Sequence, residues 1–171
     1  IFEMSSHYRN LELSNSKVTE SVFRVMTQSG LSNLLGGMGY WHGDFLVQTE
    51  PADPRRGKIQ PTIETRGPRT LFSGVPSRAK FPRGFLWDEG FHQLLVHHWD
   101  RSLSEDVLLH WLVGAMEPNG WIPREQILGN EARTRVPAEF VPQHPEHTNP
   151  PAMILVIQGM MMDQIRGSSS A

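Results

Sequence analysis

The sequence predicts a mainly α-helical chain in which helix pairs are separated by long loops. Apolar residues recur at helical spacing in several stretches, β-strand signals are confined to the region around residues 40–80, and aromatic and charged side chains gather in the connections. Antiparallel helix pairs bury their apolar stripes against neighbouring pairs, so three or four such helices leave one side uncovered unless more pairs follow.

The elements follow in order. Val18, Val22, Val25 and Met26, then Leu31, Leu34 and Leu35, repeat at helical spacing, with Gly30 predicted as a break between two helical pieces and Gly36-Gly37 as the end of the second. Residues 40–47 are aromatic and β-branched and predict a short strand. Residues 48–78, dense in Pro, Gly, Arg and Thr, predict a long irregular loop or a hairpin of the kind that covers a site. A helix is expected from Asp88 to Trp99 with Phe91, Leu94, Leu95 and His98 on one face, and a second from Ser104, as its cap, to Met116. Thr148-Asn149-Pro150-Pro151 announces a last helix through Ala152 and Met153.

Composition narrows the function. A chain of 171 residues is long enough for a domain with a core. Sixteen basic and 18 acidic residues give a formal charge of -2, no field for drawing in nucleic acid or an anionic membrane, so a neutral polar substrate fits better. The absence of cysteine excludes disulfides and thiolate metal sites without fixing the compartment. No run of eighteen apolar residues occurs, and Ile1 at one end and Gly167-Ser168-Ser169-Ser170-Ala171 at the other are expected to be cuts through something longer.

The chemistry concentrates in Phe81-Pro82-Arg83-Gly84-Phe85-Leu86-Trp87-Asp88-Glu89-Gly90-Phe91-His92, where two carboxylates sit among rings at a helix entry. Rings stack on the apolar faces of a sugar, Arg83 suits a hydroxyl or a carboxylate, and apolar walls favour a carboxyl group that donates a proton. Asp88 is equally a helix N-cap with Glu89 in the first turn, and the residues alone leave both readings open. Helical geometry predicts that Asp88, not Glu89, shares a face with His92. Trp121, Arg124, Glu125 and Glu131 form a second group, suited either to sugar binding or to an ion-pair network holding a loop. His97, His98 and His110 read as ordinary helix imidazoles. His144-Pro145-Glu146-His147 lacks metal-ligand spacing, so no metal and no cofactor are assigned.

Three ordered blocks carry a resemblance: FPRGFLWDEGFHQLL (residues 81–95), GWIPREQILGNEARTRVPAEF (120–140) and TNPPAM (148–153), preceded by GLSNLLGGMGYWHGD (30–44). In these blocks the chain resembles the mannosyl-oligosaccharide glucosidases of glycoside hydrolase family 63. The resemblance implies an incomplete (α/α)6 toroid over residues 30–160, with residues 1–29 a linker and first helix and 161–171 a non-family or disordered tail. It implies cofactor-free, inverting removal of the terminal α-1,2-linked glucose from the Glc3Man9GlcNAc2 N-glycan precursor at the lumenal side of the endoplasmic reticulum membrane, through an anchor outside this sequence. It places the general acid on Asp88 and substrate contacts on Arg83, Trp87, Glu89, Trp121, Arg124 and Glu125. The general base lies downstream of these residues in the family, so the 171 residues alone are expected to be inactive. A trehalase-like inverting α-glucosidase and a non-catalytic glycan-binding product are the alternatives.

Overall fold

The computed structural model describes residues 20–49 and 61–168. The chain divides into two compact units, residues 1–33 and 34–171. Helix α1 (Glu20–Leu35) is continuous through Gly30, where a break was predicted. One glycine costs a helix only about 1 kcal/mol relative to alanine, too little to split sixteen residues. The predicted stop is where it should be, with the Gly37 and Met38 amides donating to Leu34 and Leu35 at 3.0 and 3.1 Å. The predicted start at residues 16–19 lies outside the described residues.

In the second unit, β1 (Gly39–Thr49) and β2 (Thr62–Ser73) form an antiparallel hairpin running from Gly39 opposite Ser73 to Thr49 opposite Thr62, with a register shift between Gly43 and Phe45. Residues 62–73 are therefore strand, and the irregular reading of 48–78 gives way to its hairpin alternative. Phe45, Val47 and Leu71 are buried on the hairpin's inner side.

Helix α2 (Leu86–Trp99) begins two residues before Asp88, with Phe85 at the cap position and no side-chain cap bond. The N-cap reading of Asp88 is thus corrected: it lies in the first turn, where the macrodipole favours a carboxylate. Asp100 alone separates α2 from α3 (Arg101–Leu109), and its carboxylate accepts the Leu103 amide at 3.0 Å. Asp100 therefore performs the capping predicted for Ser104, which is buried inside the helix. Helix α3 passes into a π-helical turn, His110–Gly114, short of Met116. That turn carries Trp111, fully buried, whose indole donates to Ser73 Oγ at 3.1 Å.

Strands β3 (Gly84–Phe85) and β4 (Glu125–Gln126) pair antiparallel, followed by α4 (Gly129–Arg133), a 3-10 turn (Ala138–Phe140) and α5 (Ala152–Ser168). Residues 161–168, predicted as a tail, continue α5. A Cβ on Gly90 would lie 2.5 Å from the Cβ of Ala152, and one on Gly159 would lie 3.6 Å from His97 Nε2. Contacts advance together along both chains, so α2 and α5 run side by side in the same direction, and only glycine at position 90 lets them approach this closely.

The core gathers Phe45, Val47, Leu71, Val107, Trp111, Val156 and Met160, and a smaller cluster joins Ile127, Val136 and Val141. Helix α2 enters it with the face opposite to prediction. Glu89, Gly90, Gln93, Val96 and His97 are buried, whereas Phe91, Leu95 and His98 are exposed and Leu94 is half-buried. The fold is mainly helical with short strands, and no described helix is long and apolar enough to cross a membrane.

Candidate active site

The two-residue pairing of β3 with β4 unites the two sequence blocks that carry the candidate chemistry. Gly84 lies opposite Gln126 and Phe85 opposite Glu125, and the Leu86 amide donates to the Arg124 carbonyl at 3.0 Å. A Cβ on Gly84 would lie 2.6 Å from Leu71 Cδ2 and 2.8 Å from Trp111 Cζ2, so β3 rests directly on the core. This support fixes the chain two residues before α2 begins.

Arg83 and Glu125 lock the pairing. Arg83 donates through Nε at 2.8 Å to a Glu125 oxygen that also lies 2.6 Å from its Nη2, and Arg83 is buried. Its guanidinium also lies 4.7 Å from the centre of the Phe85 ring. Within the second group Glu125 is therefore ion-paired, with Arg83 as its partner. The Glu125 amide donates to Gln143 Oε1 at 3.0 Å. Gln143 in turn exchanges backbone bonds with β1, its amide donating to Leu46 at 2.8 Å and its carbonyl accepting from Gln48 at 2.9 Å. Sequence reasoning missed Gln143. A glutamine between Pro142 and His144 carries no motif, and only the parallel bridge to β1 brings it to the site.

Asp88 sits in the first turn of α2, half-buried, and among the described residues no hydrogen bond is made to its carboxylate. Trp87 beside it is 45% exposed, its ring 6.2 Å from that of Phe91. Glu89 points the other way and is fully buried, its carboxylate accepting from Gln93 Nε2 at 2.6 Å and lying 2.9 Å from His92 Nδ1. The expected sharing of a face between Asp88 and His92 is corrected by this contact: His92 reaches back three residues, not four. Gly74 makes room for the pair, since a Cβ there would lie 2.9 Å from His92 Nδ1 and 3.0 Å from Glu89 Oε2.

Arg124 is exposed and donates through Nε to Asn149 Oδ1 at 3.1 Å, which brings the third sequence block to the same surface. Trp121 is half-buried against the core, its indole nitrogen buried without a hydrogen-bond partner. Glu131 is exposed and ion-paired with Arg135 at 3.3 Å. Two concavities flank the Arg83–Glu125 pair. One of about 200 Å³ is lined by Arg124, Glu125, Phe140, Gln143, His144 and His147, and a wider one of about 510 Å³ by Trp41, His42, Arg83, Asn130 and Glu131 among others. Asp88 and Trp87 line neither; they stand on the adjoining open surface. His144 lies 3.3 Å from Glu146 and its ring is 4.7 Å from that of His147, but these three do not converge as metal ligands.

The match of residues 2–170 to the glycosyl hydrolase family 63 C-terminal domain settles where this arrangement belongs. The chain is a member of glycoside hydrolase family 63. Mannosyl-oligosaccharide glucosidase GCS1 of Arabidopsis thaliana is 46% identical over 139 residues, covering 81% of this chain and 16% of the relative. Mannosyl-oligosaccharide glucosidase of Saccharomyces cerevisiae is 46% identical over 134 residues, 77% of this chain and 16% of the relative. Alpha-glucosidase 2 of Arabidopsis thaliana is 42% identical over 137 residues, 80% of this chain and 17% of the relative. This family 63 chain therefore spans less than a fifth of the length of these curated relatives.

Proposed function

We propose that these residues form part of the (α/α)6 catalytic domain of a glucosidase that hydrolyses the terminal α-1,2-linked glucose of the Glc3Man9GlcNAc2 N-glycan precursor with inversion, in the lumen of the endoplasmic reticulum at its membrane. The observation that supports this most is the β3–β4 pairing. It sets the first turn of α2, with Trp87 and Asp88, beside Arg124 and Glu125.

Asp88 is the proton donor. Its carboxyl group, on a surface open to ligand, protonates the glycosidic oxygen as the bond to the anomeric carbon breaks, and the negative charge it acquires lies in the first turn of α2, where the macrodipole offsets it. Trp87 offers its exposed ring to a sugar face, and Arg124 offers donors to hydroxyls. Arg83 and Glu125, already paired, hold the pairing, and Glu89 fixes α2 from inside through Gln93 and His92. Inversion requires a second carboxylate about 6.5–9.5 Å from the acid to activate water on the opposite face, and the resemblance places that base downstream of these residues. The outward apolar residues of α2 and α5, such as Phe91, Leu95, Ile154 and Ile165, fit burial by the remaining helices of a toroid.

The test is a chimera of the yeast relative in which its matching segment is replaced by this chain's residues, assayed for glucose release from the triglucosylated glycan. Asp88→Asn is expected to lower the rate by about 10²–10⁴-fold. A change of only a few-fold would remove Asp88 from the chemistry. The 171 residues alone are expected to release no glucose.

A further inference from the structure

Away from the candidate active site, the last turn of α2 and the middle of α5 bring His97, His98 and Asp163 together, with one ligand atom from each lying within 4.8 Å of the others. His97 is only 6% exposed, and both of its ring nitrogens are buried without a hydrogen-bond partner. Among the described residues it is the one side chain with two such atoms. A buried polar atom left unpaired is costly enough that native proteins rarely keep one without a reason, and an ion is one such reason.

His97 Nε2 lies 3.2 Å from Asp163 Oδ2, an imidazole–carboxylate contact at ion-pair distance. Two ligands on a tetrahedral zinc ion, with metal bonds of about 2.0–2.2 Å, stand roughly 3.4 Å apart. The His97–Asp163 separation therefore already matches one edge of such a site. The third ligand comes from His98, whose exposed ring lies 4.5 Å from that of His97, centre to centre. A cation here also faces the negative end of the α2 macrodipole. The nearby Arg101 is engaged by Glu105 at 2.8 Å.

We propose that His97, His98 and Asp163 bind a divalent transition-metal cation of the zinc class, with solvent in the fourth position. The ion clamps α2 to α5. Gly90 against Ala152 fixes the start of this parallel pair by close packing, and the metal fixes its far end by coordination. Its role is structural and independent of the proton donor, about 13 Å of helix away at the opposite end of α2.

The experiment is calorimetric titration of the metal-free 171-residue chain with zinc chloride, alongside His98→Ala, Asp163→Asn and the double variant, whose altered side chains are exposed. The chain should take up one equivalent. Each single variant should bind at least about tenfold more weakly, the double variant should show no saturable binding, and all should keep the helical circular dichroism of the parent. His144→Ala/His147→Ala should bind zinc as the parent does. Failure of the parent to bind, which would leave a simple imidazole–carboxylate contact, overturns the proposal, as does undiminished binding by the folded double variant. Glucose release plays no part in this readout, so it stands or falls separately from the assignment of Asp88.

Discussion

Where the β1–β2 hairpin meets Trp111, the buried side chains are Phe45, Val47 and Leu71; where α2 meets Gly74 and α5, they include Glu89, Gln93 and His97, spaced four residues apart. Both surfaces are shielded from water, but different physics holds them. The hairpin surface gains from apolar area removed from water and tolerates small adjustments of shape. The α2 surface also buries Val96, Ala152 and Val156, but in addition it depends on Glu89 meeting its partners in one geometry, which fixes the rotation of α2 and hence the direction in which Asp88 leaves it.

The comparison breaks most visibly at Trp111. Trp111→Ala removes a fully buried indole and is expected to destabilise the chain by about 3–5 kcal/mol in urea denaturation, the largest effect of any single change considered. Glu89→Gln keeps the size of the side chain but loses the charge that Gln93 and His92 meet, and about 1–3 kcal/mol is expected in the same measurement. A loss at Glu89 exceeding that at Trp111 would reverse the ranking of the two surfaces. The smallest effect concerns Asp44 at the hairpin bulge. Arg133 donates to its carboxylate at 2.6 Å, which lowers its pKa below the ordinary 3.8, chiefly through that hydrogen bond. Its contribution is present above that ordinary value and is lost as pH falls through the lower folded one. Asp44→Asn should lower neutral-pH stability slightly and flatten the acid side of a stability-against-pH curve, so that variant and parent converge at low pH.

The apolar surface was the more legible of the two. Aromatic and β-branched residues at 40–47 announced β1, and the prolines at 150 and 151 announced α5. Helix α2 was found but rotated, because periodicity assigns Phe91 and Leu95 to the interior, and nothing local in the sequence reveals that Gly90 opens the other face to Ala152. The start of α3 was misplaced for a similar reason: Asp100 and Ser104 are both capping residues, and the choice is made by the tight turn out of α2. At the candidate site, Arg83 and Glu125 were named as either substrate contacts or an ion pair, and their partnership needed the β3–β4 register to become visible. Gln143 was beyond reach, since its role depends on a bridge to β1 nearly a hundred residues earlier.

The β3–β4 pair has a consequence for the order in which the molecule assembles. Two residues on each strand close a loop that contains both α2 and α3, and so small a ladder offers little to offset the entropy of closing it. Packing of the helices on the hairpin shortens the gap that this closure has to span, so Arg83 and Glu125 are expected to pair after it. Arg83 and Glu125 are thus brought into register by a scaffold that does not need them, and the two-residue ladder leaves that register to be held by the core beneath Gly84.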